Sequence, residues 1–247
     1  MNIIIADHSG FCFGVERAVN IVEDTAKLYN YKNVYTLGPI IHNPQLVSRL
    51  EEKGIRVKDS VQSVNSKETI IVRSHGIPKK EFLTLKDSNA NIVDATCPFV
   101  TRAQQQAEML TNEGYFLVIF GEKDHPEVKG IVSYSIGEYV IVENEEEAEK
   151  NIDFKEKIGV IAQTTQNKTN FNKIVEVLKG RCKELKVINT ICNATTLRQE
   201  AAKKVALISD LMYVIGGKNS GNTTRLYEIC KKICPKVFHI ETKDEIN

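Results

Sequence analysis

The chain has 247 residues, 42% of them hydrophobic, enough to bury a sizeable core spread over one to three modules. Its 33 lysines and arginines balance 32 aspartates and glutamates, and no basic stripe interleaved with aromatics advertises nucleic acid. The longest apolar runs, such as Tyr115 to Phe120, are strand-length and too short to span a bilayer. No membrane or nucleic-acid partner is therefore expected. Asp7 and His8 interrupt the first apolar run at once, so no targeting segment is read and a cytoplasmic location is expected. In a reducing cytosol, six cysteines are metal-binding or catalytic before they are disulfides.

Short apolar strands and amphipathic helices alternate along the chain, the pattern of parallel sheets with helices on both faces. The strand Ile3–Ile5 runs through a polar loop to Cys12 and a helix with Val15, Val19 and Val22 on one face. Strands then follow in VYTLGPIIHNP, GIRVKD and TIIVRSHGIP. A strand in IVDATC leads to Cys97, where Pro98 suits the first position of a helix carrying Ala103, Ala107 and Leu110. FLVIFGEKDHPE, YVIVEN and IGVIAQTTQN repeat the strand series, with the acidic stretch Glu143 to Glu149 starting a solvated helix. Val187–Ile188 leads to Cys192 and a helix that Asn193 or Thr195 is placed to cap, followed by strands in YVIGGKNSGNTTR and KVFHIET. Ile3–Ile5, Ile70–Val72 and Val187–Ile188 are all too apolar to be half-exposed.

This series is one unit written three times, and a repeat fixes the architecture. Each copy has a strand, a polar loop, a cysteine (Cys12, Cys97, Cys192) and a helix with an arginine one turn in (Arg17, Arg102, Arg198). From Cys12 to Gly38, Cys97 to Gly121 and Cys192 to Gly216 the spacing is 26, 24 and 24 residues. The copies predict three similar α/β modules, 1–96, 97–190 and 191–247, with mainly parallel sheets around one centre. The third is incomplete: the fourth-strand tip of TIIVRSHGIP and IGVIAQTTQN has no counterpart before Asn247, so a C-terminal truncation is expected.

A lone cysteine is ordinarily a small buried hydrophobe, and Cys182, Cys230 and Cys234 keep that reading. Cys12, Cys97 and Cys192 share one position at three strand-to-helix junctions and can converge. Zinc asks for a fourth ligand or a water, whereas three thiolates without a C-x-x-C pair suit an iron–sulfur cluster with one iron left open. An open iron is a Lewis acid and an electron conduit. His42, His75 and His125 lie at strand-end loops, and with Ser220 and Asn222 they offer donors for a polyanion such as diphosphate. Glu127, beside His125, could deliver protons to a leaving hydroxyl, and Thr164 and Thr165 offer hydroxyls to the same substrate. No G-x-x-x-x-G-K-[ST] loop is present, which argues against a nucleotide triphosphatase.

GFCFGVERAV, GPIIHNP, RSHGIP, DATCPFV, GEKDHPEV, AQTT, ICNATTLRQEA and GGKNSGNTTRL, in that order along the whole chain, resemble the 4-hydroxy-3-methylbut-2-enyl diphosphate reductase family. The resemblance implies one central [4Fe–4S] cluster per chain on Cys12, Cys97 and Cys192, and the last step of the methylerythritol phosphate route to isoprenoids. It implies Glu127 as proton donor, assisted by His125 and Thr164. The substrate would be gripped by His42, His75, His125, Thr164, Thr165, Ser220, Gly221 and Asn222. Gly221 stands where many members carry a second serine, and the family's late A-G-A-S-T-P loop has no match here. Ferredoxin or flavodoxin is the implied electron donor.

Two rivals share the three cysteines. An aconitase-like hydro-lyase would want arginines near the cluster and no electron donor, and a non-catalytic iron–sulfur sensor need not keep Glu127 or the histidines. A shared cluster demands cysteine sulfurs roughly 6–7 Å apart, given metal–thiolate bonds of about 2.3 Å.

Overall fold

The computed structural model describes residues 2–246. The first module runs α1 (Phe13–Leu28), β1 (Val34–Leu37), α2 (Pro44–Glu52), β2 (Arg56–Lys58), β3 (Thr69–Val72), α3 (Lys79–Asp87) and β4 (Asn91–Asp94). The second repeats it as α4 (Pro98–Asn112), β5 (Phe116–Phe120), α5 (Pro126–Val132), β6 (Tyr139–Val142), α6 (Glu145–Asn151), β7 (Lys155–Ala162), α7 (Lys168–Lys179) and β8 (Cys182–Val187). Then come α8 (Asn193–Ala206), β9 (Met212–Ile215), α9 (Gly221–Lys231) and β10 (Val237–Ile240).

Every strand pairing is parallel, and the sheets have matching orders: β2-β1-β3-β4, β6-β5-β7-β8 and, among the described residues, β10-β9. The repeat glycines occupy one structural position. The amides of Gly38, Gly121 and Gly216 donate to Lys58, Val142 and Ile240, each at the end of the neighbouring strand, at 2.8, 3.0 and 2.9 Å. Each loop thereby leaves its strand on the carboxyl side, where ligands of parallel sheets bind.

Burial holds the cysteine helices to these sheets. Ile70, Ile71 and Val72 are enclosed on both faces, as central parallel strands require, each contributing about 1.5–3 kcal/mol. Ala18, Val22 and Ala26 seat α1 on the first sheet, and Ala103, Ala107 and Leu110 seat α4 on the second. A β-carbon on Gly159 would meet Leu110 Cδ2 at 2.8 Å, so α4 rides closer to β7 than alanine there would allow. Cys230 and Cys234 are buried with Ala202, Ala206 and Val214 in the small third core, Cys234 lying just past the end of α9.

Three local expectations are corrected. Ile3–Ile5 is not a strand: the three side chains are 79%, 50% and 77% exposed. The strands that lead to Cys97 and Cys192, β4 and β8, each pair with the strand before them, and residues 2–6 have no such neighbour among the described residues. Apolar character alone does not pair a strand. Val187, at the end of an outer strand, is 45% exposed, with Ile188 already beyond β8. Cys192 itself takes the N-cap position of α8, ahead of Asn193 and Thr195.

Hydrogen exchange reads this difference directly. Amides of β3 are expected to exchange orders of magnitude more slowly than those of residues 3–5. Comparable protection in the two segments would contradict the unpaired N-terminal segment.

Candidate active site

Each predicted ligand cysteine is the residue immediately before a helix: Cys12 before α1, Cys97 before α4, Cys192 before α8, none using its sulfur to cap. Helix N-termini favour anions, and two backbone amides face each of two sulfurs: Phe99 and Val100 at Cys97, Ala194 and Thr195 at Cys192. Burial nevertheless holds both thiols above the ordinary value, and the neighbouring thiols add to it, Cys12 and Cys192 at Cys97 and Cys12 at Cys192. The three sulfurs thus lie within electrostatic reach of one another.

Gly14 measures the approach. A β-carbon there would stand 2.5 Å from the Cys97 sulfur and 4.0 Å from the Cys12 sulfur. Two sulfurs this close to one point stay within the roughly 6–7 Å that a shared cluster demands. No group of three or more His, Cys, Asp or Glu among the described residues is drawn tightly enough for a single metal ion. Three uncapped thiols at helix N-termini, within electrostatic reach of one another, form a donor set that an iron–sulfur cluster could use.

Glu127 is the second residue of α5 and 2% exposed. Thr164 grips its carboxyl twice, the amide donating to Oε1 at 2.7 Å and the hydroxyl to Oε2 at 3.0 Å. Burial outweighs these two bonds, and with a push from Glu122 the carboxyl is raised from 4.5 to about 7. The Thr164 carbonyl in turn accepts from the Cys192 amide at 3.0 Å and the Thr195 hydroxyl at 3.1 Å. The Glu127 carboxyl and the Cys192 loop are therefore fixed to one residue.

The three histidines pack as a cage, with ring centroids 4.3 Å (His42–His75), 5.3 Å (His42–His125) and 5.7 Å (His75–His125) apart. His125 caps α5: its Nδ1 accepts the Glu127 amide at 3.1 Å, which leaves Nε2 to carry the proton toward the cavity. His42 Nε2 and His75 Nδ1 are buried without a partner among the described residues, the signature of a polar site awaiting a ligand. Burial first, then Arg73 at His42, holds His42 below its ordinary value, pushes His75 well below it and takes His125 down to about 4. The cage is neutral at pH 7, with the fixed charge of Arg73 beside it and Arg225 near His125. The Arg73 side chain donates to the Gly76 carbonyl at 3.2 Å and is cradled by Gly38, where a β-carbon would strike Nη1 at 2.6 Å.

The third module closes the site with the start of α9. Ser220 caps the helix, its oxygen accepting the Thr223 amide at 3.4 Å, and Asn222 is half-buried with no side-chain bond among the described residues. A β-carbon on Gly221 would come 3.1 Å from Thr165 Oγ1 and 3.6 Å from His125 Nε2. Gly217 touches the first module, where a β-carbon would collide with the His42 carbonyl at 2.2 Å. A cavity of about 590 Å³ opens here, lined by His42, His125, Gly221 and Lys218. Its carboxylates are already engaged: Glu122 by Arg225 at 2.8 Å, Asp124 by Lys129 at 3.2 Å, Glu143 by the Lys123 amide at 3.1 Å. His75, Glu127, Thr164, Thr165, Ser220 and Asn222 lie outside that lining.

Sequence reasoning passed over Gly14, Arg73 and Gln163. Gln163 is fully buried in the AQTT motif, its Nε2 has no acceptor among the described residues, and a β-carbon on Gly221 would lie 3.6 Å from it. An unmatched buried amide in a tip already rich in polar residues was the available signal. Gly14→Ala tests the sulfur geometry: the new methyl must displace the Cys97 sulfur, so reconstituted iron should fall by about half or more while helix content holds. Full iron loading in that variant would contradict the close approach.

Comparisons with known proteins identify the family. The model of the LytB protein family matches residues 3–247. The 4-hydroxy-3-methylbut-2-enyl diphosphate reductase of Syntrophotalea carbinolica is 49% identical over 246 residues, covering 100% of this chain and 87% of that protein. Its counterpart from Aquifex aeolicus is 48% identical over 249 residues, covering 100% and 85%. A solved structure of this reductase, described as the terminal enzyme of the non-mevalonate pathway, is 48% identical, with a TM-score of 0.72 over 99% of this chain and 87% of that one. The E-1-hydroxy-2-methyl-but-2-enyl-4-diphosphate reductase of Plasmodium falciparum, 28% identical, has a TM-score of 0.89 over 96% of this chain and 76% of its own. The family is one that uses an iron–sulfur cluster. With a matching family model across nearly its whole length and relatives near 50% identity, the chain belongs to the LytB family.

Proposed function

We propose that this chain reduces 4-hydroxy-3-methylbut-2-enyl diphosphate to isopentenyl and dimethylallyl diphosphate, removing the hydroxyl as water at the cost of two electrons and two protons. The observation that carries the reading is a buried Glu127, its carboxyl pushed up to about 7, tied through Thr164 to the loop of Cys192. Cys12, Cys97 and Cys192 would hold one [4Fe–4S] cluster. When bound, that cluster supplies single electrons and an open iron as Lewis acid.

The chain's own groups do the rest. Uncharged His42, His75 and His125 donate hydrogen bonds to the diphosphate, with Ser220, Asn222 and the Gly221 amide at the helix start completing the grip. Arg73 supplies fixed positive charge behind the cage. These contacts hold the allylic C–O bond in place, a positioning effect. Thr164 and Thr165 face the same end, and Thr164 orients the Glu127 carboxyl, which passes its proton to the departing hydroxyl with His125 beside it. Ferredoxin or flavodoxin fits as electron donor. A reducing cytosol suits the site, since it keeps neighbouring thiols from closing into a disulfide.

Anaerobic turnover with a reduced viologen tests the reading. Allylic diphosphate should be consumed only when the donor is present, and turnover without one would favour a hydro-lyase. Glu127→Gln should bind substrate normally yet lose about 100-fold or more in turnover, and near-normal turnover would remove Glu127 from its role. Glu127 acts in its protonated form, so activity should fall as pH rises through about 7. Stability carries the same sign. A carboxyl whose folded value is raised from 4.5 to about 7 stabilises fully below 4.5, and that contribution is lost as pH rises through about 7. The three buried histidines, held low, carry the opposite sign over the same range, so the parent's thermal midpoint should fall relative to that of Glu127→Gln between pH 5 and 8.

A further inference from the structure

The repeated arginines, Arg17, Arg102 and Arg198, are not absorbed by the chemistry above, and their hydrogen bonds follow a rule. Arg17, on the Cys12 helix, donates through Nη1 to the carbonyl of Thr96, the residue before Cys97, at 3.1 Å. Arg198, on the Cys192 helix, donates through Nε to the His8 carbonyl and through Nη2 to the Gly10 carbonyl, both at 2.8 Å, just ahead of Cys12. Each arginine reaches from its own cysteine helix to the approach of another cysteine. We propose that Arg17 and Arg198 are positioning residues, clasping the loops of Cys97 and Cys12 so that three sulfurs borne on separate modules meet one cluster. The proposal rests on the cluster reading above.

Backbone geometry supports the clasp. His8 and Gly10 both adopt left-handed conformations (φ 59° and 85°), which turn two nearby carbonyls toward one guanidinium. Residues 2–11 carry no strand, and the two bonds from Arg198 are the only hydrogen bonds made to them among the described residues. The Cys97 loop is better anchored, because Cys97 also donates to Ser74 at 2.9 Å and Thr96 to Asp94 at 2.8 Å.

Arg102 is the natural control. It sits five residues after Cys97, as Arg17 does after Cys12, yet it is exposed and makes no hydrogen bond or ion pair among the described residues. The loop it would serve, before Cys192, is held within its own module. Thr190 bonds the Ala162 backbone in both directions, and Asn189 accepts the Ile191 amide at 3.0 Å. The clasps thus rank Arg198 above Arg17 above Arg102. They also set the guanidinium groups of Arg17 and Arg198 on backbone carbonyls, which commits those donors rather than leaving them for the carboxylate clamp a hydro-lyase would need.

The test is iron release to a chelator from anaerobically reconstituted protein, beside the unfolding midpoint of each apo variant and the electron paramagnetic resonance of each reduced one. Losing charged hydrogen bonds should make Arg198→Ala release iron about tenfold faster. Arg198→Lys should stay fast with an altered resonance, because an ammonium cannot span two carbonyls as the fork does. Arg17→Ala should be severalfold faster, and Arg17→Lys should recover most of that. Arg102→Ala should match the parent. Equal rates in Arg198→Lys and Arg102→Ala would overturn the proposal, as would faster release that merely tracks a lowered apo midpoint. A parent that takes up no iron sinks the underlying cluster reading, a result distinct from a loaded parent with indifferent variants.

Discussion

Thr164 is the residue on which the site turns. Its amide and hydroxyl are both given to Glu127, and its carbonyl accepts from Cys192 and Thr195. One threonine at the tip of β7 therefore fixes an acid and the loop of a cysteine in the same frame. Displacing that tip would move both together, which ties the Glu127 carboxyl to the position of the Cys192 loop by construction rather than by distance alone.

No module owns the site. The sulfurs come from three helix starts, the cage from two modules, and the α9 helix start from the third. Contacts between modules set the geometry: Gly14 against Cys97, Gly217 against the His42 carbonyl, Arg225 on Glu122, and the arginine clasps. The electrostatics are equally shared. Burial keeps all three histidines uncharged, so the cage offers imidazole donors beside the guanidinium groups of Arg73 and Arg225 rather than a cluster of charged imidazoles. Burial also pushes the Glu127 carboxyl up to about 7. A carboxyl on the surface would stay ionised at pH 7 and have no proton to give.

The parallel sheets and the glycine loops were legible because they repeat: a strand, a glycine and a spacing recur, and one hydrogen bond closes each loop. Ile3–Ile5 misled because apolar residues announce a strand only where a neighbouring strand exists, and that is a tertiary fact. Among site residues, the histidines stood out by type and place. Gly14, Arg73 and Gln163 did not, because their importance lies in how closely other modules approach them, which no local pattern encodes. The arginines were visible as a repeated offset, but their targets needed coordinates. Cys192 taking the cap position from Asn193 and Thr195 is a one-residue lesson of the same kind.

The central claim is that three modules converge on one cluster. Anaerobic reconstitution followed by iron and acid-labile sulfide counting tests it most directly, on the parent and on Cys12→Ser, Cys97→Ser and Cys192→Ser separately. The account predicts about four iron and four sulfide per parent chain, with marked loss from each single replacement, and parental content in Cys182→Ser. One zinc without sulfide, or full iron content after losing any of the three cysteines, would contradict it.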